Sequence, residues 1–350
     1  MRRLLTGNGT ATPPHQSRRG IIERSSPWSR LEWGALGLVT LAAGIIRLAG
    51  LNRPTSLVFD EIFYARDACW YVVGTEAVCN ITDVTSRAHP PLGKWLVGSG
   101  IAVFGYDPFG WRVAAALAGT LTVALVFVLA WRLIRPVTAR RATTVGALMA
   151  AGLLATDFLH VVHSRVAMLD IFITLFVVTA VLAIVLDRDR PREAAESAWS
   201  RLALGRPWRL AAGLALGAAA ATKWSGAYVA LAVIGLTIAW VIAAERRRRD
   251  SDWRGALLPA VRREALPTAI LLGLVPLAVY FASYIGRMPG ELLAAPWAAG
   301  SVWRNLYAHQ QAMLEFHTTL GGHHPYESPP WSWVLLKRPV AYWFSDEGGA

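Results

Sequence analysis

Cysteine is almost missing from this chain, with two residues in 350. That is too few for a disulfide-built scaffold or a multi-cysteine metal site. Charge is scarce as well. Only 17% of the residues are charged against 54% hydrophobic, and mean hydropathy is +0.38, which excludes a water-soluble globule. Carboxylates are the rarer charge: 23 Asp and Glu stand against 35 Lys and Arg, for a net charge of +12. An excess of that size would suit nucleic acid if it formed one continuous patch. Here the arginines come in short clusters between apolar runs, as on the cytoplasmic side of a polytopic membrane protein. No nucleic-acid partner is expected. Beyond a basic N-terminal arm there is no low-complexity segment and no internal repeat.

That arm, residues 1–30, carries Arg18, Arg19, Arg24 and Arg30 among Ser, Thr, Gly and Pro and reads as disordered and cytoplasmic. The apolar run 31–51 has no small-residue cleavage site, so it is an uncleaved first span rather than a signal peptide. Further spans are predicted at 110–134, 143–162, 166–186, 208–222, 224–244 and 266–286, with another beginning at 339–344. The stretch 92–105 is short for a hydrocarbon core of about 30 Å. Counting it as a span would put Arg135, Arg140, Arg141, Arg188, Arg190, Arg192 and the arginines 246–249 outside. Read as an interfacial helix, it leaves them all inside. The expected architecture is an all-α, polytopic transmembrane domain over 31–344 with seven to eight spans. Extracytoplasmic loops fall at 52–109 and 287–338, and a truncated tail at 345–350.

Under this topology the chemically active residues collect on one face. The first outside loop opens with Phe59-Asp60-Glu61, continues through His89-Pro90-Pro91-Leu92-Gly93-Lys94, and ends near Arg112. Asp157, His160, His163, Ser164 and Arg165 close the third span, and Lys223 stands between the fifth and sixth. The last loop holds His309, Glu315, His317, His323, His324, Tyr326, Glu327 and Arg338. Each has an ordinary reading: paired carboxylates are often solvated loop charges, and Arg or Lys at a helix end often snorkels to headgroups. Asp157, His160 and Ser164 share a helix face and suit buried pairing as well as catalysis. Asp170, inside the fourth span, is harder to dismiss. A carboxylate there costs about 2.5–3.5 kcal/mol unless paired or wet, and Arg165 or Lys223 is its candidate partner. Cys69 and Cys79 share an outside loop, an oxidising setting that favours a disulfide. The histidines lack a fixed ligand spacing, so no metal is assigned. Taken together, a carboxylate base, several cations and an apolar cavity open to lipid suit a lipid-phosphate donor.

Phe59-Asp60-Glu61 with Tyr64, the His89–Lys94 motif, Ser164-Arg165-x-x-Met168-Leu169-Asp170, Ala221-Thr222-Lys223-Trp224-Ser225-Gly226 and His323/His324-Pro325-Tyr326-x-Ser328 resemble the protein O-mannosyltransferases, the bacterial type above all, within the GT-C glycosyltransferases. The resemblance runs from about residue 31 to the end of the chain. It implies inverting transfer of mannose from a polyprenyl (dolichyl) phosphate to Ser or Thr hydroxyls of secreted or membrane proteins as these emerge from the secretion channel. It further implies a plasma-membrane enzyme with a cytoplasmic N-terminus and an extracytoplasmic site. By the same resemblance Asp60 is the base, and Glu61 binds acceptor or orders the loop. Arg112 lies near the lipid phosphate and Lys223 shares that task, while His89 stands beside the active centre. Lys94, Arg165, Asp170, His323 and Arg338 complete the expected substrate-binding set. No cofactor is assigned, although a divalent cation stays open because related transferases use one. The loop 287–338 is too short for the β-trefoil domain of eukaryotic members, and by the resemblance further spans would be expected at the point where this sequence stops. Two alternatives remain: a GT-C transferase of another lipid-linked sugar, of the arabinose or aminoarabinose type, and a membrane transporter or flippase.

Overall fold

The computed structural model describes residues 28–82, 86–189, 206–285, 301–321, 327–338, 340 and 342. Among these, every regular element is helical. In chain order they are α1 (Arg30–Leu48), α2 (Glu61–Val72), α3 (Glu76–Cys79), α4 (Leu92–Phe104), α5 (Pro108–Ile134), α6 (Arg140–Thr156), α7 (Phe158–Arg165), α8 (Leu169–Asp189), α9 (Pro207–Thr222) and α10 (Ser225–Arg249). Then come α11 (Trp253–Ala269), a π-turn (Ile270–Leu274), α12 (Val275–Ala282), α13 (Ser301–Thr319) and a 3-10 turn (Pro330–Leu335).

Five of these segments are long and apolar enough to cross a membrane, six if the bent pair α6–α7 counts as one. The sequence pattern had suggested seven complete spans. The difference lies in two places. The apolar run 143–162 is broken at Asp157, which leaves the helical conformation to cap α7 by accepting from the His160 N–H at 2.8 Å. The two halves bend by 58°. The run 208–222 forms α9, whose sixteen residues rise only about 24 Å. Even so, α9 lies antiparallel to α8 along most of its length. Lys223 meets Asp170 at one end, and Arg209 meets Asp187 at the other. Small residues let α9 come close to the α11–α12 unit: a Cβ on Gly213 would stand 1.8 Å from the Leu271 carbonyl oxygen. That unit starts at Trp253, earlier than the apolar pattern indicates, and loosens into the π-turn just after Pro267, which has no N–H to give.

The polar residues sort to the two ends of the bundle. One end holds the buried Glu32, which caps its own helix through Ser29 and binds Arg140 at 2.7 Å. It also holds Asp187, Arg206, Arg209, Glu264 and the run 246–249. The opposite end carries the first loop. There α2 and α4 pack together through Ala65, Ala68, Val97 and Ile101. A disulfide between Cys69 and Cys79 (Cα–Cα 5.6 Å) and a fully buried Asp67–Lys94 ion pair at 2.7 Å tie the layer. Helix α4 covers thirteen residues and packs Val97 and Ile101 into the core.

One buried pair joins this layer to the bundle. Arg112, on the first turns of α5, grips Glu61 with two bonds of 2.7 and 2.8 Å. Its other N–H groups go to the carbonyls of Leu51, Pro54 and Ser56 at 3.3, 2.8 and 3.0 Å. The Glu61 carboxylate also accepts the backbone N–H groups of Val58 and Ala167, both at 2.9 Å. Neither side chain has any exposed surface. A charge stranded at such a depth costs about 3–5 kcal/mol, so Arg112→Met should lower the detergent-solubilised melting temperature sharply. A second substitution, Glu61→Leu, removes the stranded charge but leaves the Val58 and Ala167 N–H groups without an acceptor. Only partial recovery is therefore expected in the double variant, and melting curves followed by size-exclusion chromatography would read both outcomes.

Candidate active site at the acidic end

Asp60 stands at the start of α2, immediately after Phe59, whose φ of +50° is a strained value for a bulky residue. That left-handed turn lets Glu61 point into the bundle while Asp60 stays at the half-buried surface of the end layer. The Tyr64 hydroxyl, one turn along the same helix, donates to Asp60 Oδ2 at 3.2 Å. Burial raises the Asp60 pKa; the Tyr64 hydrogen bond and the nearby Lys223 cation oppose that rise, and the Asp170 charge adds to it. Burial likewise pushes the Tyr64 phenol well above its ordinary value.

Lys223 is the capping residue after α9, and Asp170 sits in the first turn of α8. The ammonium reaches both carboxylate oxygens of Asp170 at 2.9 Å. About a quarter of the Lys223 side chain and a third of Asp170 remain exposed, so the pair is open to a ligand. Of the two partners the sequence offers Asp170, the structure selects Lys223. Arg165 is instead spent on the end of α1, donating to the carbonyls of Ile46, Arg47 and Ala49 at 2.7–3.2 Å, where a cation also suits the helix dipole.

An aromatic and histidine wall surrounds these charges. The His89 ring lies 6.0 Å from Tyr64 and 5.6 Å from His317, and Trp224 lies 6.0 Å from His317. His317 is fixed to the Ala88 carbonyl at 3.0 Å, and the Trp224 indole N–H to the Tyr280 hydroxyl at 3.0 Å. His89 is buried, and its Nδ1 has no hydrogen-bond partner. Burial, followed by the charges of Lys223, Lys94 and His317, holds its pKa down to about 3, so the ring is neutral at pH 7. Tyr342, far along the chain, closes on Phe59 with ring centroids 4.9 Å apart and bonds His163 at 2.5 Å.

The structure thus brings together Asp60, Asp170, Lys223 and His89 from the expected set and adds Tyr64, Trp224, His317, His163 and Tyr342 around them. Motif spacing carried Tyr64 and Trp224 without a role for either. His317 was one of many loop histidines, and nothing in the local sequence distinguished Tyr342. Other expected residues serve the framework. Every Arg112 guanidinium N–H is engaged by protein, and the Glu61 side chain has no exposed surface. Lys94 is buried against Asp67 and the Ser86 carbonyl. Arg338 donates to the Glu327 carbonyl at 3.0 Å, and His323 lies outside the described residues. Among the described residues, no group of three or more His, Cys, Asp or Glu side chains is placed to hold a metal ion.

A half-buried carboxylate beside a cation, within an aromatic pocket, has the means to take a proton from a hydroxyl and to hold a phosphate. Comparison with known proteins gives this arrangement its context. Residues 37–286 match the family described as dolichyl-phosphate-mannose-protein mannosyltransferase. Residues 302–350 match the C-terminal four-transmembrane region of protein-O-mannosyltransferase. A Mycobacterium tuberculosis protein named polyprenol-phosphate-mannose–protein mannosyltransferase is 38% identical over 90% of this chain. A Mycolicibacterium smegmatis protein of the same name is 37% identical over 97%. The chain spans 64% and 68% of those two proteins. In structure it resembles the S. cerevisiae protein O-mannosyltransferase Pmt1-Pmt2 complex bound to the sugar donor, with a TM-score of 0.57 and 21% identity, covering 88% of this chain and 39% of that one. The fold is therefore shared with that complex, and with a family match across most of its length the chain belongs to the dolichyl-phosphate-mannose-protein mannosyltransferase family.

Proposed function

We propose that this protein transfers mannose from a polyprenyl-phosphate-mannose to Ser or Thr hydroxyls of exported proteins, with inversion at the sugar carbon. The observation that carries the reading is the half-buried Asp60 at the same end as the accessible Lys223–Asp170 pair. Asp60 takes the proton of the acceptor hydroxyl as its oxygen bonds to C1 of mannose. The C1–O bond to phosphate breaks on the opposite face, and the phosphate leaves with the electron pair. A dianion develops there, and Lys223 is the cation in place to meet it, exchanging part of its hold on Asp170 for the phosphate. Phosphate leaves readily, so no general acid is required. Tyr64 orients Asp60, while His89 stays neutral and has a ring nitrogen without a protein partner for a sugar hydroxyl. Glu61 and Arg112 act by positioning, since they set where the Asp60 turn sits.

The reading places the protein in the plasma membrane with a cytoplasmic N-terminus and the Asp60 end outside. Support comes from the arginines at the other end, Arg135, Arg140, Arg188, Arg206 and 246–249, which match the positive-inside pattern. The acceptors are then secreted or membrane proteins met on their way out of the secretion channel, and the donor approaches from the lipid.

Asp60→Asn should cut transfer from polyprenyl-phosphate-[14C]mannose to an acceptor peptide by about 10²–10⁴-fold, the usual worth of a positioned base. An unchanged melting temperature should accompany the loss. Activity close to that of the unsubstituted protein would remove Asp60 from the mechanism.

A pH profile tests the electrostatics independently. The base works only when ionised, so the rate should fall as pH drops through the raised pKa of Asp60, at a higher pH than an ordinary carboxylate near 3.9 would give. Asp170→Asn removes a charge that lifts that pKa and should move the acid limb downward. Lys223→Met removes one that lowers it and should move the limb upward, along with weaker donor use. Limbs that coincide in all three proteins would mean that another group controls the rate.

A further inference from the structure

The arginine-rich end contains a feature that sugar transfer at the opposite end does not use. Between α8 and α10, with α9 as its floor, lies a cavity of about 670 Å³. Three arginines line it, Arg188, Arg209 and Arg247, against one carboxylate, Asp187. The floor is rigid. Arg209 is 1% exposed and divides its guanidinium between Asp187 and Glu264, both at 2.8 Å, and Arg206 binds the same two acids at 3.5 and 2.6 Å. The charge of Asp187 is therefore already answered from below.

The two cations at the mouth are differently placed. Arg188 lies over the Trp240 ring, its guanidinium carbon 4.6 Å from the centroid, and pairs with Asp189 at 2.9 Å, which fixes it against the wall without using its whole donor edge. Arg247 faces it from α10. Its neighbours Arg248 and Arg249 are both drawn to Glu245 at 2.6 and 2.5 Å, whereas Arg247 has no described ion-pair partner and lines the cavity. One turn deeper the walls change character to Ile184 and Val241. Guanidinium groups above apolar walls, at the end of a bundle of membrane-spanning helices, match a phosphate headgroup with the start of its acyl chains. A free phosphate would leave those walls unused.

We infer that this cavity is a binding site for an anionic phospholipid, its phosphate held between Arg188 and Arg247 and its glycerol and upper acyl carbons against Ile184, Trp240 and Val241. Basic pockets between transmembrane helices take such headgroups, with each arginine near the surface contributing to the attraction. The inference is separate from the mannosyl-transfer reading, because no residue named for catalysis takes part.

Native mass spectrometry of the whole protein in detergent, with phosphatidylglycerol or phosphatidylcholine added, tests it directly. One phosphatidylglycerol should remain bound to the unsubstituted protein at lipid concentrations where phosphatidylcholine does not. Retention should fall about tenfold or more in the R188Q/R247Q protein, and in Trp240→Ala, which removes the platform under Arg188. Both mouth arginines lie outside the Arg209 cluster, so lipid-free melting temperatures should match the parent. Equal retention of the two lipids, or unchanged retention in both variants, would overturn the proposal. So would full displacement by glycerol 3-phosphate at equal concentration, which would make the ligand a free anion. Absence of bound lipid on the parent would overturn it as well.

Discussion

The Glu61–Arg112 pair decides where everything at the acidic end can be. A glutamate with no exposed surface would be untenable alone, but it receives two guanidinium N–H bonds and two backbone N–H bonds. Those bonds come from the first loop, from α5 and from the entrance to α8. A single carboxylate thus clamps three separate stretches of chain to one another. The arginine is equally saturated, because the loop 51–56 wraps its carbonyls around it. With that knot in place, the turn at Phe59 has one way to run, and Asp60 is delivered beside Lys223 and Asp170. Such full satisfaction is the condition under which a buried ion pair can exist at all.

Charge at the two ends then performs different work on the same helix pair. At one end of α8 and α9, Asp187 and Arg209 are buried and multiply bonded, which suits a fixed anchor. At the other, Asp170 and Lys223 are partly exposed and bonded mainly to each other. A pair that water can reach has less to lose when a competing anion arrives. The wall of His89, Trp224 and Tyr64 lowers the local dielectric, and the neutral His89 ring adds no rival charge, which strengthens whatever the lysine holds. The raised pKa of Asp60 follows from the same dryness.

Apolar runs and arginine placement made most of the helical architecture readable from the residues, since bilayer thickness demands long hydrophobic segments and leaves little room for alternatives. The pattern failed where a single polar residue changed the backbone. Asp157 looked like one member of a helix face with His160, but a side chain that satisfies its neighbour's N–H ends one helix and starts another. The beginning of α11 was hidden because Arg254, Arg262 and Arg263 dilute its apolar signal. For the site, a charge in an apolar context shows that a partner is needed, not which one. Asp170 had two candidates, and only the fold distinguishes them. Arg112, Lys94 and Arg165 stood out as cations for the same reason and turned out to be holding backbone and carboxylates. His317 and Tyr342 reach the pocket from far along the chain, and no spacing rule records such a contact.

The brevity of α9 and the break between α6 and α7 bear on how the molecule is made. A sixteen-residue helix and a pair bent by 58° are weak signals for an insertion machinery that judges segments by greasy length. Such segments enter the bilayer more readily beside a partner already seated there. Since α9 docks along α8 and shares ion pairs at both ends of it, the two amount to one unit of biogenesis. The emerging chain would have to wait at the first until the second has been synthesised, and damage to the Asp187–Arg209 contact would then show as lost yield of inserted protein before it showed as lost activity.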